Sequence, residues 1–90
     1  MVLSRPELVG YSFHHAGRLM INHMPVQDYV ARKDGESVDR FHVFFAAGVW
    51  NAWIADTVSE ATIRRRRAFA AALTGDEQAA PFPPAAMQPA

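Results

Sequence analysis

Residues 38–73 read VDRFHVFFAAGVWNAWIADTVSEATIRRRRAFAAAL, and this stretch decides the fold that the sequence predicts. It contains no proline and is rich in alanine, and Glu60 precedes Arg64 by four residues, which suits a helical ion pair. Ser37 is a suitable N-cap, and Thr74-Gly75 is a suitable helix end. The pattern predicts a single helix from Val38 to about Leu73, about 50 Å long.

A first helix is predicted upstream of this stretch, beginning near residue 5. Ser4 and Glu7 have the spacing of a capping box, and Pro6 fits an early helical position. Apolar residues then recur at intervals of three and four until Pro25 ends the pattern: Val9, Phe13, Ala16, Met20 and Met24. This spacing predicts an amphipathic helix of about twenty residues.

The segment between the two predicted helices, residues 25–37, allows two interpretations. Val26, Tyr29 and Val30 fit a short linking helix, whereas Asp34-Gly35 is a dipeptide typical of a hairpin turn between YVARK and ESVDRF. Apolar alternation beside Asp34-Gly35 is weak and the flanking residues are charged, so a hairpin would bury little. The linking helix is the favoured interpretation.

The sequence therefore predicts an all-α fold. Two main helices pack as an antiparallel helical hairpin within one domain, residues 1–75, and the short helix joins them. Residues 76–90 contain four of the six prolines and predict an extended Pro- and Ala-rich tail.

Apolar residues exceed what such a hairpin can bury. Thirteen of the fifteen residues from Phe41 to Ala55 are apolar or glycine. One face of the predicted long helix would stay uncovered, which predicts a homo-oligomer or a protein partner. The expected contact residues are Trp50, Trp53, Ile54, Val43 and, in the tail, Phe82. The alternative is that the segment around Tyr29 folds back over the tryptophans.

Four consecutive arginines, Arg64, Arg65, Arg66 and Arg67, form the most conspicuous charged run. Arginine suits bidentate contacts with phosphate, so the run is a candidate nucleic-acid contact. Consecutive residues of a helix point in different directions, however, and at most two can face one phosphate row. Salt bridges between subunits and a solvated face are the other interpretations.

Composition excludes several classes of site. The nine basic and nine acidic residues give a net charge of zero. This balance argues against a domain that binds nucleic acid through its overall positive charge. The absence of cysteine excludes disulfides and thiolate metal sites. Asp39 and His42 have the helical spacing of a carboxylate–imidazole pair, for which a simple hydrogen bond is the favoured interpretation over a metal. No cofactor or metal is expected.

No catalytic motif stands out, since the sequence lacks a nucleophile elbow and a glycine-rich phosphate loop. We therefore do not expect an enzyme. The N-terminal residues MVLSRPELVG lack the features of a secretory signal, so we expect a cytoplasmic protein, with a virion component as the other location. Polar residues within 41–63 argue against integral membrane insertion.

The function expected from these patterns is that of a non-enzymatic structural or interaction subunit of a larger assembly, including a viral particle. It would dock through its aromatic helix face. The alternative is a small dimeric helical regulator that presents Arg64–Arg67 to DNA or RNA. A peripheral membrane protein with its aromatic helix in the lipid interface is a third interpretation.

Overall fold

Four consecutive antiparallel strands and one helix make up the part of the chain that the structure, a computed structural model, describes: residues 5–54 and 57–75. A 3-10 turn, Pro6–Leu8, precedes the strands. These are β1 (Ser12–Ile21), β2 (Met24–Lys33), β3 (Glu36–Ala46) and β4 (Val49–Ala52), followed by helix α1 (Glu60–Gly75). The strands pair in chain order, so β1 and β4 form the two edges of the sheet.

Three two-residue turns join the strands, and both residues of each turn have positive φ, as a type I′ turn requires. They are Asn22-His23, Asp34-Gly35 and Ala47-Gly48. The hairpin interpretation of Asp34-Gly35 is therefore correct, and the linking helix is wrong. Ala47, at φ 56°, adopts a left-handed conformation that is costly for a residue with a Cβ atom.

The all-α helical hairpin predicted from the sequence is wrong, because the structure is mainly an antiparallel sheet. Half of the first predicted helix is β1, and the predicted long helix contains most of β3, all of β4 and, from Glu60 onward, α1. The physical reason lies in side-chain shape. Valine, phenylalanine, tyrosine and tryptophan pack well on a pleated surface, and Phe41, Val43 and Phe45 alternate along β3 toward the core.

Helix α1 keeps one feature that the sequence predicted. Arg64 lies 3.5 Å from Glu60, which confirms their ion pair. The helix begins at Glu60 rather than Val38 because the Ser59 hydroxyl accepts a hydrogen bond from the Thr62 backbone N–H and caps the first turn.

The core lies between α1 and one face of the sheet. Phe69 of α1 is fully buried, with its ring centroid 4.4 Å from that of Phe13, 4.7 Å from Tyr29 and 5.6 Å from Phe41. Leu8 of the 3-10 turn is also fully buried in this cluster. Burial of such large apolar side chains is the main favourable term in folding.

A buried ion pair fastens the first half of α1 to β3. Both oxygens of Asp39 accept hydrogen bonds from the guanidinium of Arg66, at 2.9 Å and 2.7 Å. The sequence predicted a contact between Asp39 and His42, but residues three apart on a strand point to opposite faces. Asp39 faces the helix, whereas His42 lies on the other face, 3.6 Å from the Asp28 carboxylate.

Candidate functional site

The outer edge of β4 borders a groove of about 480 Å³ between this strand and helix α1. Directly opposite residues share a face of the sheet, so Trp50 and Ala52 lie on the helix side, while Phe44 and Asn51 lie on the open side. Residues from both faces of the sheet line the groove, so the groove extends around the outer edge of β4. Its lining consists of Phe44, Val49, Trp50, Asn51, Ala52, Arg67, Ala70, Ala71 and Thr74.

Two hydrogen bonds establish which backbone groups of β4 point into this groove. The Trp53 N–H donates to the His42 carbonyl at 2.9 Å, so Trp53 is bonded inward to β3. The Trp50 N–H instead donates outward, to the Thr74 hydroxyl at 2.8 Å. Because inward and outward groups alternate along an antiparallel strand, Ala52 also points its N–H and C=O outward. No hydrogen bond from the described residues occupies these groups of Ala52.

One face of α1 forms the opposite wall. Arg67, Ala70, Ala71 and Thr74 are spaced as neighbours on a single helix face, and the two alanines leave room between helix and strand. Thr74 also donates its hydroxyl proton to the Ala70 carbonyl at 3.1 Å, which fixes the hydroxyl oxygen toward Trp50. The helix end therefore closes one end of the groove.

Arg67 provides the charge in the groove. Its side chain is exposed, and among the residues that the structure describes no carboxylate lies within ion-pair distance of it. Arg67 stands seven residues before Thr74, which places it about 10 Å farther along the groove. The site thus combines an open strand edge, small apolar side chains and an arginine that has no carboxylate partner among the described residues.

The other three arginines of the run have partners. Arg66 is buried against Asp39, and Arg65 donates a hydrogen bond to the Tyr11 hydroxyl at 3.2 Å, with its guanidinium 4.6 Å from the ring centroid. Arg64 is exposed and pairs with Glu60. The structure separates the run into two inward arginines and two exposed ones, and it does not bring the four together on one surface.

The predicted contact residues occupy different environments. Val43 and Trp50 are buried in the core, and Trp50 packs edge-on against Phe45 at 5.4 Å between centroids. Trp53 and Ile54 are partly exposed. Phe82 lies outside the described residues. Of the four that the structure describes, Trp50 alone lines the groove.

A second polar arrangement lies on the open face of the sheet. Buried Asp28 accepts hydrogen bonds from Nε of exposed Arg40 at 3.1 and 3.2 Å, and this hydrogen bonding raises the pKa of Arg40 above its usual value. His42 lies beside the same carboxylate. Within residues 5–54 and 57–75 no serine or threonine hydroxyl is hydrogen-bonded to His42, so the pair lacks the nucleophile of a charge-relay site.

The described part of the chain contains no cluster of three or more histidine, aspartate or glutamate side chains that could hold a metal ion. Within the same ranges, no helix has the length and apolar character needed to cross a membrane.

Comparison with known proteins returns no relative. No protein-family model matches the chain, and neither a curated protein nor a solved structure resembles it significantly.

The sequence pointed to Arg67 and Trp50 but not to the groove that joins them. The sequence indicates Thr74 only as part of a helix end, and it gives no separate role to Ala52. The signal that could have found them is the turn at Ala47-Gly48, because a hairpin there makes residues 49–52 an edge strand.

Proposed function

We propose that this protein is a non-enzymatic interaction subunit that binds an extended segment of a partner protein along the outer edge of β4. The observation that carries the proposal is the groove itself, which wraps around a strand edge with free backbone groups. Addition of a strand to an open edge is a recurring mode of peptide recognition, in which main-chain hydrogen bonds give affinity and side-chain pockets give specificity. The expected setting remains a larger, cytoplasmic or viral, assembly.

The geometry supports this docking surface better than the aromatic helix face predicted from the sequence. Trp50 and Val43 already fill the core of the monomer, so their side chains are largely committed there. The edge of β4 is accessible instead, and Trp53 and Ile54 continue it with partly exposed side chains. A segment bound there would extend the sheet to five strands.

Binding of nucleic acid by the arginine run has less support. Arg65 and Arg66 contact Tyr11 and Asp39 and are therefore committed within the fold. Only Arg64 and Arg67 remain exposed, and two positive charges give little of the electrostatic affinity on which phosphate binding depends.

A pair of proline variants tests the proposed function. Ala52→Pro removes an outward N–H of β4 and blocks the edge, and proline is tolerated at such positions because no bond within the sheet is lost. Met20→Pro is the matched control on β1. Met20 is opposite Pro25, one position from the residues that flank the Asn22-His23 turn, so its N–H also points outward.

A display library of random linear peptides supplies the probe. We expect the unchanged protein and Met20→Pro to select the same extended peptides, and Ala52→Pro to lose them while keeping its circular dichroism spectrum and melting cooperativity. Peptides that bind Ala52→Pro as well as the unchanged chain would overturn the proposal. So would a library that yields no peptide for any of the three proteins.

A further inference from the structure

We propose that the partner segment lies parallel to β4 and carries a carboxylate side chain beside Arg67, two residues after an apolar side chain. This inference rests on the proposed function and specifies the direction and chemistry of the bound segment. It follows from the hydrogen-bonding groups that the edge offers and from the order of side chains along α1.

The bond between Trp50 and Thr74 favours the parallel direction. In an antiparallel pair, the residue opposite Trp50 needs both its N–H and its C=O. The N–H already donates to Thr74 at 2.8 Å, so the carbonyl of an antiparallel segment would lose its donor at this point. An unpaired carbonyl in a bound strand costs affinity.

A parallel segment avoids this loss. In a parallel ladder each bonded residue joins the two residues that flank its neighbour on the opposite strand. A residue beside Asn51 would donate to the Trp50 carbonyl and accept from the Ala52 N–H. The next bonded residue would donate to the Ala52 carbonyl and accept from the Ile54 N–H. A parallel segment that begins beside Trp50 therefore does not need the occupied Trp50 N–H, whereas an antiparallel segment over the same residues does.

The occupied Trp50 N–H also argues against a second copy of this chain as the occupant. A two-fold axis between two β4 edges would pair identical strands in the antiparallel direction. Such a dimer would meet the occupied Trp50 N–H in both copies. The two-fold dimer therefore fits less well, and we take the occupant to be a segment of a different protein.

The order of residues along α1 then determines which side chains the bound segment needs at each position. Thr74 contacts Trp50, and α1 runs antiparallel to β4, because Arg66 near its start reaches Asp39 at the far end of β3. Ala70 lies about 6 Å from Thr74 along the axis, level with Ala52, which is two residues or about 7 Å beyond Trp50. The side chain of a parallel segment beside Ala52 would therefore face half-buried Ala71, next to Ala70, which is only 2 % exposed, and it should be apolar.

Arg67 lies one turn farther along the helix, between the levels of Ala52 and Ile54. The next side chain of the segment on the helix side lies beside Ile54, within reach of the long Arg67 side chain. A glutamate or aspartate there would pair with the guanidinium. The helix dipole favours the same order. The negative end of α1 at Gly75 lies near the amino-terminal end of the segment, so the carboxylate beside Arg67 is kept away from it.

The test uses two synthetic strand-forming peptides of equal composition, one with valine two positions before glutamate and one with the order reversed. We expect the first to bind more tightly. The Arg67→Glu variant should bind the glutamate peptide about fivefold or more weakly at low salt. A peptide with lysine in place of the glutamate should bind this variant with restored affinity. Arg64→Glu, on an exposed face outside the groove, is the matched control and should change affinity little.

Direction is read from the NMR signals of the full chain with a nitroxide on either end of the peptide. We expect an amino-terminal label to broaden the amides of Val49 and Thr74, and a carboxy-terminal label to broaden those of Trp53 and Arg67. The opposite pattern would overturn the parallel direction while leaving the proposed function standing. Self-association through β4 in light scattering, or equal binding by the reversed peptide, would also overturn the inference. Absence of binding by every peptide would overturn both proposals.

Discussion

Removal of the Asp39 carboxylate should destabilise the protein strongly. The side chains of Asp39 and Arg66 are only 9 % and 11 % exposed, and two hydrogen bonds join them. Breaking a buried pair by deleting one partner costs about 3–5 kcal/mol, because the remaining charge is left without compensation. Arg65, 3.9 Å from the same carboxylate, would lose a neighbour as well. A domain of this size has a total stability of about 5–10 kcal/mol, so Asp39→Ala should remove a large fraction of it.

The assay is urea unfolding, followed by circular dichroism and tryptophan fluorescence, of Asp39→Ala, Arg66→Ala and the double variant. The double variant should be much less destabilised than the sum of the two single variants, with a coupling energy of about 2 kcal/mol or more. The exposed pair of Glu60 and Arg64 supplies the matched cycle, for which we expect about 0.5 kcal/mol or less.

This cycle also tests the fold. In a continuous helix from residue 38 to residue 73, Asp39 and Arg66 would lie about 40 Å apart and could not couple. A coupling energy within about 0.5 kcal/mol of zero would refute the contact and the packing of α1 on β3. A large coupling is accounted for only if the chain folds back between the two residues.

Three further predictions concern a turn, the core and a tyrosine. Ala47→Asn should stabilise the protein by about 0.5–1 kcal/mol in urea unfolding, because asparagine tolerates the positive φ of this hairpin turn; within a helix the same change would destabilise. Phe69→Ala should cost about 3–5 kcal/mol through the cavity it leaves, whereas Val9→Ala, at an exposed position, should cost less than about 0.5 kcal/mol. Burial raises the pKa of Tyr29 to about 12, above its ordinary value of 10.0. The unfolded chain therefore loses this proton first, so stability should fall as pH rises from about 10 to about 12, and Tyr29→Phe should reduce that fall. A slope that Tyr29→Phe leaves unchanged would contradict this assignment.

The strands were hidden in the sequence because their apolar alternation is incomplete. On β3, Phe41, Val43 and Phe45 face the core, but Phe44 between them is apolar too and packs against Trp53 on the open face. In sequence, a strand that is apolar on both faces resembles a helix that is apolar on all sides, and periodicity alone cannot distinguish the two. Alanine and the absence of proline then favoured the helix.

Turn chemistry was the better guide. Asp34-Gly35 is a strong hairpin signal, and it was outweighed by the charge of its flanks, which turn out to be exposed strand ends. Asn22-His23 and Ala47-Gly48 are weaker signals, because histidine and alanine seldom adopt positive φ. A hairpin at Asp34-Gly35 implies that the apolar residues beyond it form further strands of one sheet.

The arginine run could be recognised from the sequence, but the roles of its members could not. Which arginine turns inward depends on where Asp39 lies, and Asp39 meets Arg66 only in the folded chain, where β3 is paired with β2 and α1 lies across the sheet. Spacing within the helix carries no information about a carboxylate 27 residues away. The candidate site depends on the same long-range placement, since Thr74 must meet Trp50 to define it.

Helix α1 therefore divides into two parts with different consequences for the protein. The part with Arg65 and Arg66 holds the helix on the sheet, while the part from Arg67 to Thr74 shapes the groove beside β4. Arg67 is exposed and has no ion-pair partner among the described residues, so its replacement should leave the free energy of unfolding within about 0.5 kcal/mol of that of the unchanged chain. Loss of peptide binding in an Arg67 variant of full stability can then be assigned to the groove, whereas the same loss in an Arg66 variant cannot, because that variant also weakens the fold.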